Sequence, residues 1–250
     1  MKELLNCVMD IGEQMLISGA EVHRVEDSVN RMCTALGAAR VDCFIITSSM
    51  VVSLHDGEGQ IHTETRRIRN AETNFHRLDL LNALSRRICK EKLSVEDMRK
   101  ELAGIKQNAT YPFFVECLAY ATIAAVFTVF FGGGAVESML AALIGLCVRF
   151  VSFATDKIVR NTMFTKFASA FTITAFAYLF TFLGAAASPD QIIIGNIMLI
   201  IPGLGFTNAL RDLFVGDSIA GVLHLLEAVL TAIAIAAGYF VFVFLRGAVL

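Results

Sequence analysis

Apolar residues recur with three different patterns along this chain, and each pattern predicts a different kind of element. Leu4, Val8, Ile11 and Met15 fall three or four residues apart, as do Val22, Val25, Val29, Met32 and Leu36. That spacing lines one face of an α-helix. Ser18-Gly19 separates the two helices, and Gly37 supplies a C-terminal stop for the second. The pattern then changes. Val41 to Thr47 and Met50 to Leu54 are short, β-branched runs; Asp56-Gly57-Glu58-Gly59 is a turn signal; Gln60 to Arg67 fits the return strand of a hairpin. Phe75, Leu78, Leu81, Leu84 and Ile88 restore the helical period, and Ser94-Val95-Glu96-Asp97 reads as the capped start of a last helix to about Lys106. Two helices, three strands and two helices predict a small α+β domain over residues 1–110.

From residue 112 the polar positions nearly vanish. A helix needs about 20 apolar residues to cross the hydrocarbon core. Five segments meet that length: 112–131, 135–154, 167–187, 191–210 and 219–245. The third carries no charge; the fourth has none either but is interrupted by Pro202-Gly203 and Gly205; the fifth contains His224 and Glu227. The expected fold class is therefore an α-helical integral membrane protein of about five transmembrane helices, residues 111–250, with an N-terminal small α+β cytoplasmic domain.

Composition sharpens the division. The 250 residues are 56% hydrophobic and 18% charged, whereas soluble domains carry about a quarter charged residues. Residues 1–110 hold 31 of the 44 charged residues. A single soluble enzyme, a secreted disulfide scaffold and a disordered chain are excluded as classes. A net charge of −2, with neither half basic, argues against nucleic-acid binding.

Lys and Arg favour the cytoplasmic side of a membrane. The loop at 155–166 carries Lys157, Arg160 and Lys166 and the loop at 211–218 carries Arg211, while the loops at 132–134 and 188–190 carry no basic residue. With the charged N-terminal domain inside, every loop agrees. The expected placement is a multi-pass protein of the inner (plasma) membrane, N-terminus cytoplasmic and C-terminus outside, with Arg246 a mild exception. Asn6 and Asp10 interrupt the apolar run that a signal peptide needs. The six cysteines show no CxxC spacing and read as reduced, buried thiols. Many transporters pair two inverted repeats, so an odd span count suggests half of a larger machine.

Candidate chemistry gathers late in the chain. Pro202 lacks an N–H, and its ring clashes with the carbonyl four residues back. A helix broken there is either a plain kink or a source of free carbonyls and a helix end for an ion or a carboxylate. Asn208, Arg211, Asp212 and Asp217 follow within a few turns, and His224 and Glu227 lie inside the next span. Positions 217, 221, 224 and 228 share a helical face, with Gly221 leaving room. Charges at membrane depth cost a few kcal/mol and usually serve a pathway or a partner; the alternative for Arg211, Asp212 and Asp217 is headgroup water. Glu116 and Glu137 sit near helix starts, where a carboxylate also suits the helix dipole. In the N-terminal part, residues 18–26 form the densest polar cluster, with Gly19, His23, Arg24 and Glu26, and read either as a solvated helix face or as a polar centre. His55, His62 and His76 show no metal-ligand spacing, and no nucleophile, P-loop or zinc motif is present. No catalytic residue, metal site or cofactor is expected.

Two stretches resemble a known family. Ser18-Gly19-Ala20-Glu21-Val22-His23-Arg24-Val25-Glu26 resembles the small-Gly … Arg-Val-Glu signature of the threonine/serine exporter family. Ile201-Pro202-Gly203 with Asn208, Arg211-Asp212, Gly216-Asp217, Gly221 and Glu227-Ala228 resembles its second signature. His23 stands where that family often has Thr or Ser, and His224 where it often has Arg. The resemblance implies a secondary exporter of threonine and serine driven by a proton gradient. It also implies the larger subunit of a split form, with a small membrane-protein partner supplying the second module in an oligomer, homo- or hetero-. Within that reading Asp217 and Glu227 are candidates for proton coupling or for binding an ammonium group. Arg211 is a candidate partner for a substrate carboxylate or for Asp212, and Pro202-Gly203 for a hinge. A small dicarboxylate such as succinate is the alternative substrate. A membrane-anchored enzyme centred on His23, Arg24 and Glu26, or a scaffold for a cytosolic partner, are the alternatives from other classes.

Overall fold

A computed structural model describes residues 1–69, 73–108, 111–159 and 161–249. Arg160, one of the basic loop residues, lies outside them. The chain divides into two compact units: Met1–Thr110 with Thr207–His224, and Tyr111–Phe206 with Leu225–Leu250.

In the first unit the helical periods become α1 (Lys2–Ile17), α2 (Val22–Ala35), α3 (Phe75–Glu91) and α4 (Val95–Asn108). Most residues that define each period are those it buries: Val8, Ile11 and Met15 on α1; Val22, Val25, Val29 and Met32 on α2; Leu81, Leu84 and Ile88 on α3, whose first period residue, Phe75, is instead exposed. Gly19 ends α1 with φ +89, where the N–H of Ala20 reaches the carbonyl of Met15 at 3.0 Å. Asn74 caps α3 by accepting from the N–H of Arg77 at 2.9 Å, and Ser94 caps α4 by accepting from the N–H of Asp97 at 3.2 Å.

The strands are β1 (Arg40–Ile46), β2 (Ser49–His55) and β3 (Ile61–Arg67), antiparallel in the order β1-β2-β3. Val52 of β2 pairs with Cys43 and with Glu64. The central strand sends Met50, Val52 and Leu54 into the core, while both edge strands alternate toward solvent. Gly12 of α1 lets the sheet approach: a Cβ there would meet Met50 Cε at 2.8 Å and Val29 Cγ2 at 2.9 Å. Ala220, from the late stretch of chain that joins this unit, is buried in the same core.

The second unit is built on α5 (Phe113–Phe130), α6 (Ala135–Ile158), α7 (Thr162–Phe182) and α8 (Asp190–Ile197), with the later part of α10 (Ser218–Val249). Small residues hold these helices together. Ala124, Ala141, Ala170 and Ala177 are buried beside Ile144, Ile173 and Ile192, the composition that lets membrane helices approach without a hydrophobic drive between them. A Cβ on Gly145 of α6 would meet the carbonyl oxygen of Tyr120 at 2.8 Å. Large apolar side chains such as Phe130, Phe182 and Phe244 point outward instead.

Among the described residues four helices are long and apolar enough to cross a membrane: Phe113–Phe130, Ala135–Ile158, Thr162–Phe182 and Ser218–Ala248. The segment 191–210, expected as a fifth span interrupted at Pro202-Gly203, is divided there between α8, of 8 residues, and α9 (Gly203–Val215), of 13. At 1.5 Å per residue the two reach about 12 and 20 Å, short of the roughly 30 Å hydrocarbon core. The cause is in the backbone. Helical bonding tightens after Ile197, with the N–H of Leu199 on the carbonyl of Asn196 and that of Ile200 on Ile197. Pro202 then has no N–H to continue the ladder.

Candidate functional site

The two polar stretches singled out in the sequence converge in the first unit. The turn after α1 ends at Glu21, the N-cap residue of α2, with φ −66 and ψ 138. Its side chain makes no cap. Instead Glu21 Oε1 accepts from Arg211 Nη1 at 2.5 Å, across 190 residues of sequence. Glu21 Oε2 lies 3.6 Å from Arg24 Nε and 3.8 Å from His23 Nδ1. Both separations exceed hydrogen-bond length, and neither Glu21 Oε2 nor His23 Nδ1 has a hydrogen-bond partner although both atoms are buried. Arg211, expected opposite Asp212 or a substrate, is thus held by a residue outside the candidate set.

Glu26 lies one turn further along α2. Its Oε1 accepts from the backbone N–H of Ile45 at 2.9 Å, which gives the edge strand β1 a partner on its open side. Burial pushes the Glu26 carboxyl above its ordinary value; the Ile45 hydrogen bond opposes that rise and the charge of Asp217 adds to it. Glu26 and Asp217, from the two signatures, are therefore electrostatic neighbours.

Asp212 of α9 is wholly buried. Its Oδ2 lies 2.8 Å from His224 Nδ1, while Oδ1 has no partner. The backbone carbonyl of Asp212 accepts from the N–H of Asp217 at 2.9 Å, and Asp217 immediately precedes α10. Gly221 leaves room, as its place in the stripe suggested, but for a helix rather than for a ligand. A Cβ there would meet the backbone nitrogen of Leu213 at 2.9 Å. Asn208 is half-buried.

The remaining candidates, Gly19 apart, lie in the second unit. Pro202 and Gly203 stand at the start of α9, partly exposed and exposed respectively. Glu227 of α10 is exposed, and no side-chain partner for it is found among the described residues. Gly19 serves the α1 turn.

Sequence reasoning gave Glu21 no separate role and left Glu116 between a dipole role and a functional one. Glu116 in fact pairs with Arg149 of α6, whose guanidinium lies 5.0 Å from the centre of the Phe113 ring and 5.9 Å from that of Tyr120. Two opposite charges at facing helix positions were the available signal. Glu137 accepts from the N–H of Gly134 at 3.1 Å and so closes the N-terminus of α6. A cavity of about 340 Å³ between α3 and α4, lined by Leu80, Leu84, Arg87 and Ile105 among others, contains none of the candidate residues. Among the described residues no group of three or more His, Cys, Asp or Glu side chains is arranged to hold a metal.

The family model described as "Putative threonine/serine exporter" matches residues 6–245. The chain belongs to the threonine/serine exporter family. A curated "Threonine/serine exporter" from Corynebacterium glutamicum is 24% identical over 242 residues, which cover 94% of this chain and 50% of the relative. The chain thus spans about half the length of the curated relative it matches. No solved structure matches it. Family membership and four helices of membrane-spanning length make this chain a multi-pass membrane protein of an exporter family.

Proposed function

We propose that this chain is one module of an ion-driven exporter of threonine and serine, with residues 1–110 in the cytosol. The observation that carries the reading is the family match across residues 6–245. The charge of the loops supports the orientation, since the basic residues fall on one set of connections. In this reading the Pro202-Gly203 break between α8 and α9 is the hinge.

The coupling ion is a proton. Asp212 offers a buried carboxylate with one unpartnered oxygen beside His224, and Asp217 and Glu227 are the further titratable candidates in the sequence. Arg211 is the cation for the substrate carboxylate. A second membrane module, supplied by a small partner protein, completes the exporter. Glu227 supports this part of the reading. An exposed carboxylate on an apolar helix costs a few kcal/mol against lipid, so its face suits cover by another helix.

The test is efflux from cells loaded with labelled serine, threonine and succinate. The strains express this chain with a candidate partner, or either alone. Serine and threonine efflux that needs both chains, collapses with the proton gradient and is lost with Asp217→Asn is the expected result. Efflux of succinate alone would replace the substrate. No efflux of any of the three, with both chains inserted, would remove the exporter reading in favour of the first unit as a scaffold or an enzyme.

A further inference from the structure

We propose that His23, Arg24 and Arg211 form a binding cradle for the carboxylate of a small ligand, and that Glu21 occupies this cradle as an internal counter-ligand. The ligand's identity as the exported substrate rests on the function proposed above; the cradle itself does not.

The groups around Glu21 are mismatched. Three donors converge on one carboxylate, which satisfies only one of them. Oε1 is taken by Arg211 Nη1 at 2.5 Å. Oε2 sits 3.6 Å from Arg24 Nε and 3.8 Å from His23 Nδ1, near enough for attraction and too far for a hydrogen bond. The consequence is two buried polar atoms, Glu21 Oε2 and His23 Nδ1, without partners. A buried polar group left unpaired is destabilising, so such a pair of atoms marks a place where a better-fitting group can gain. Glu21 fits poorly because it is tethered: it belongs to the N-cap residue of α2, and Arg24 and His23 stand on the first turn of that helix. A free carboxylate has no such tether and can accept from the guanidinium of Arg211 and from the cradle's other donors together.

The cradle is also reachable. Arg211 and Arg24 are 49% and 65% exposed, whereas Glu21 is 14% exposed. The cations open to solvent and their counter-charge lies beneath them. The nearby acid Glu26 gives its Oε1 to the Ile45 N–H, so that oxygen is not open to the cradle. An arriving carboxylate therefore displaces Glu21 from Arg211 and frees the link between the residue 18–26 turn and α9. The link that ligand binding breaks ties the first signature to the helix that follows Pro202.

The test uses the full chain in lipid nanodiscs, with serine, threonine and succinate as probes and serinamide as the control without a carboxylate. Glu21→Gln removes the internal competitor. It is expected to tighten the half-saturating concentration for at least one carboxylate probe by about fivefold, the effect of no longer having to break a modest ion pair, and to leave serinamide unchanged. Glu21→Asp, which keeps the charge, should stay near the parent value. The charge swap Glu21→Arg with Arg211→Glu keeps an ion pair and hence the fold, but is expected to bind no carboxylate. A swap that binds normally, or a folded Glu21→Gln variant with unchanged or weaker binding of all three carboxylates, overturns the cradle. Tighter succinate binding without serine or threonine export would sustain the cradle and remove the threonine/serine reading. Export with no effect of Glu21→Gln would do the reverse.

Discussion

Asp212 and His224 meet 2.8 Å apart, Oδ2 to Nδ1, with the other Asp212 oxygen buried and unpaired. Twelve residues separate them, and the turn at Gly216 brings α9 and α10 back together so that one donor and one half-satisfied acceptor face each other. Asp212→Asn keeps the volume and an oxygen for His224 but removes the charge and the place for a proton. The variant should melt within a few degrees of the parent while efflux falls by at least about tenfold, the scale of a lost proton-transfer group. Asp212→Ala should also lower stability by about 1–3 kcal/mol, because His224 loses its partner. Full efflux from Asp212→Asn would reduce Asp212 to a structural partner.

The Glu116–Arg149 pair should show the asymmetry of a charge pair in apolar surroundings. Arg149→Leu leaves Glu116 uncompensated between α5 and α6 and should cost about 3–5 kcal/mol. Combining it with Glu116→Gln should recover most of the loss. Unfolding of the purified chain in mixed micelles measures both. A double variant as unstable as the single one would assign the stability to the Arg149 contacts with Phe113 and Tyr120.

Two glycines near the helix break should respond oppositely to alanine. A Cβ on Gly195 would meet the backbone nitrogen of Thr128 at 2.7 Å and its Cα at 2.9 Å, atoms that cannot swing aside, whereas one on Gly205 meets nothing within 4 Å. Gly195→Ala should destabilise by about 1–3 kcal/mol or more. Gly205→Ala should be neutral or stabilise by up to about 1 kcal/mol through helix propensity. Thermal melts of the two variants give the comparison directly.

Glu26 sets a pH dependence of stability. Burial raises its carboxyl above the ordinary value of 4.5, so the folded state holds that proton more tightly than the unfolded chain does. The stability this group supplies is complete below 4.5 and is lost as pH rises through the raised folded value. Glu26→Gln keeps an oxygen for the Ile45 N–H and cannot ionise. Its melting temperature should therefore gain on the parent as pH climbs from 4 to 7. A constant difference over that range would remove burial as the cause.

Burial also holds two thiols protonated. The Cys33 thiol is pushed up to about 12, chiefly by burial, and that of Cys43 to about 11 by burial and by the charges of Glu26 and Asp42. The thiolate is the reactive form. Iodoacetamide at pH 8 should therefore leave both unmodified in the folded chain and label both after denaturation, as read by mass spectrometry. Fast labelling of Cys33 in the native state would mean that α2 opens readily.

Much of this architecture is legible in the residues. The spacing of Val22, Val25, Val29 and Met32 marks the buried face of α2, because a helix returns to the same side every three or four positions. The alternation in Met50, Val52 and Leu54 marks the central strand for the equivalent reason. The loss of charge after residue 110 marks the apolar helices. At 191–210 hydropathy sums side chains and so counts one span, while the N–H that Pro202 lacks, equally legible in the sequence, breaks the helix.

What the sequence determines by itself is thus periodicity, membrane-spanning capacity and family, all of which depend on neighbours within a few turns. What only the tertiary structure decides is partnership. Arg211 could have faced Asp212, its neighbour in the chain, or lipid headgroups; it faces Glu21, 190 residues away. Asp212 could have met headgroup water; it is buried against His224. Successive residues on a helix point about 100° apart, so Arg211 and Asp212 must serve different neighbours. Which neighbours those are depends on how distant segments pack, and no local pattern encodes that.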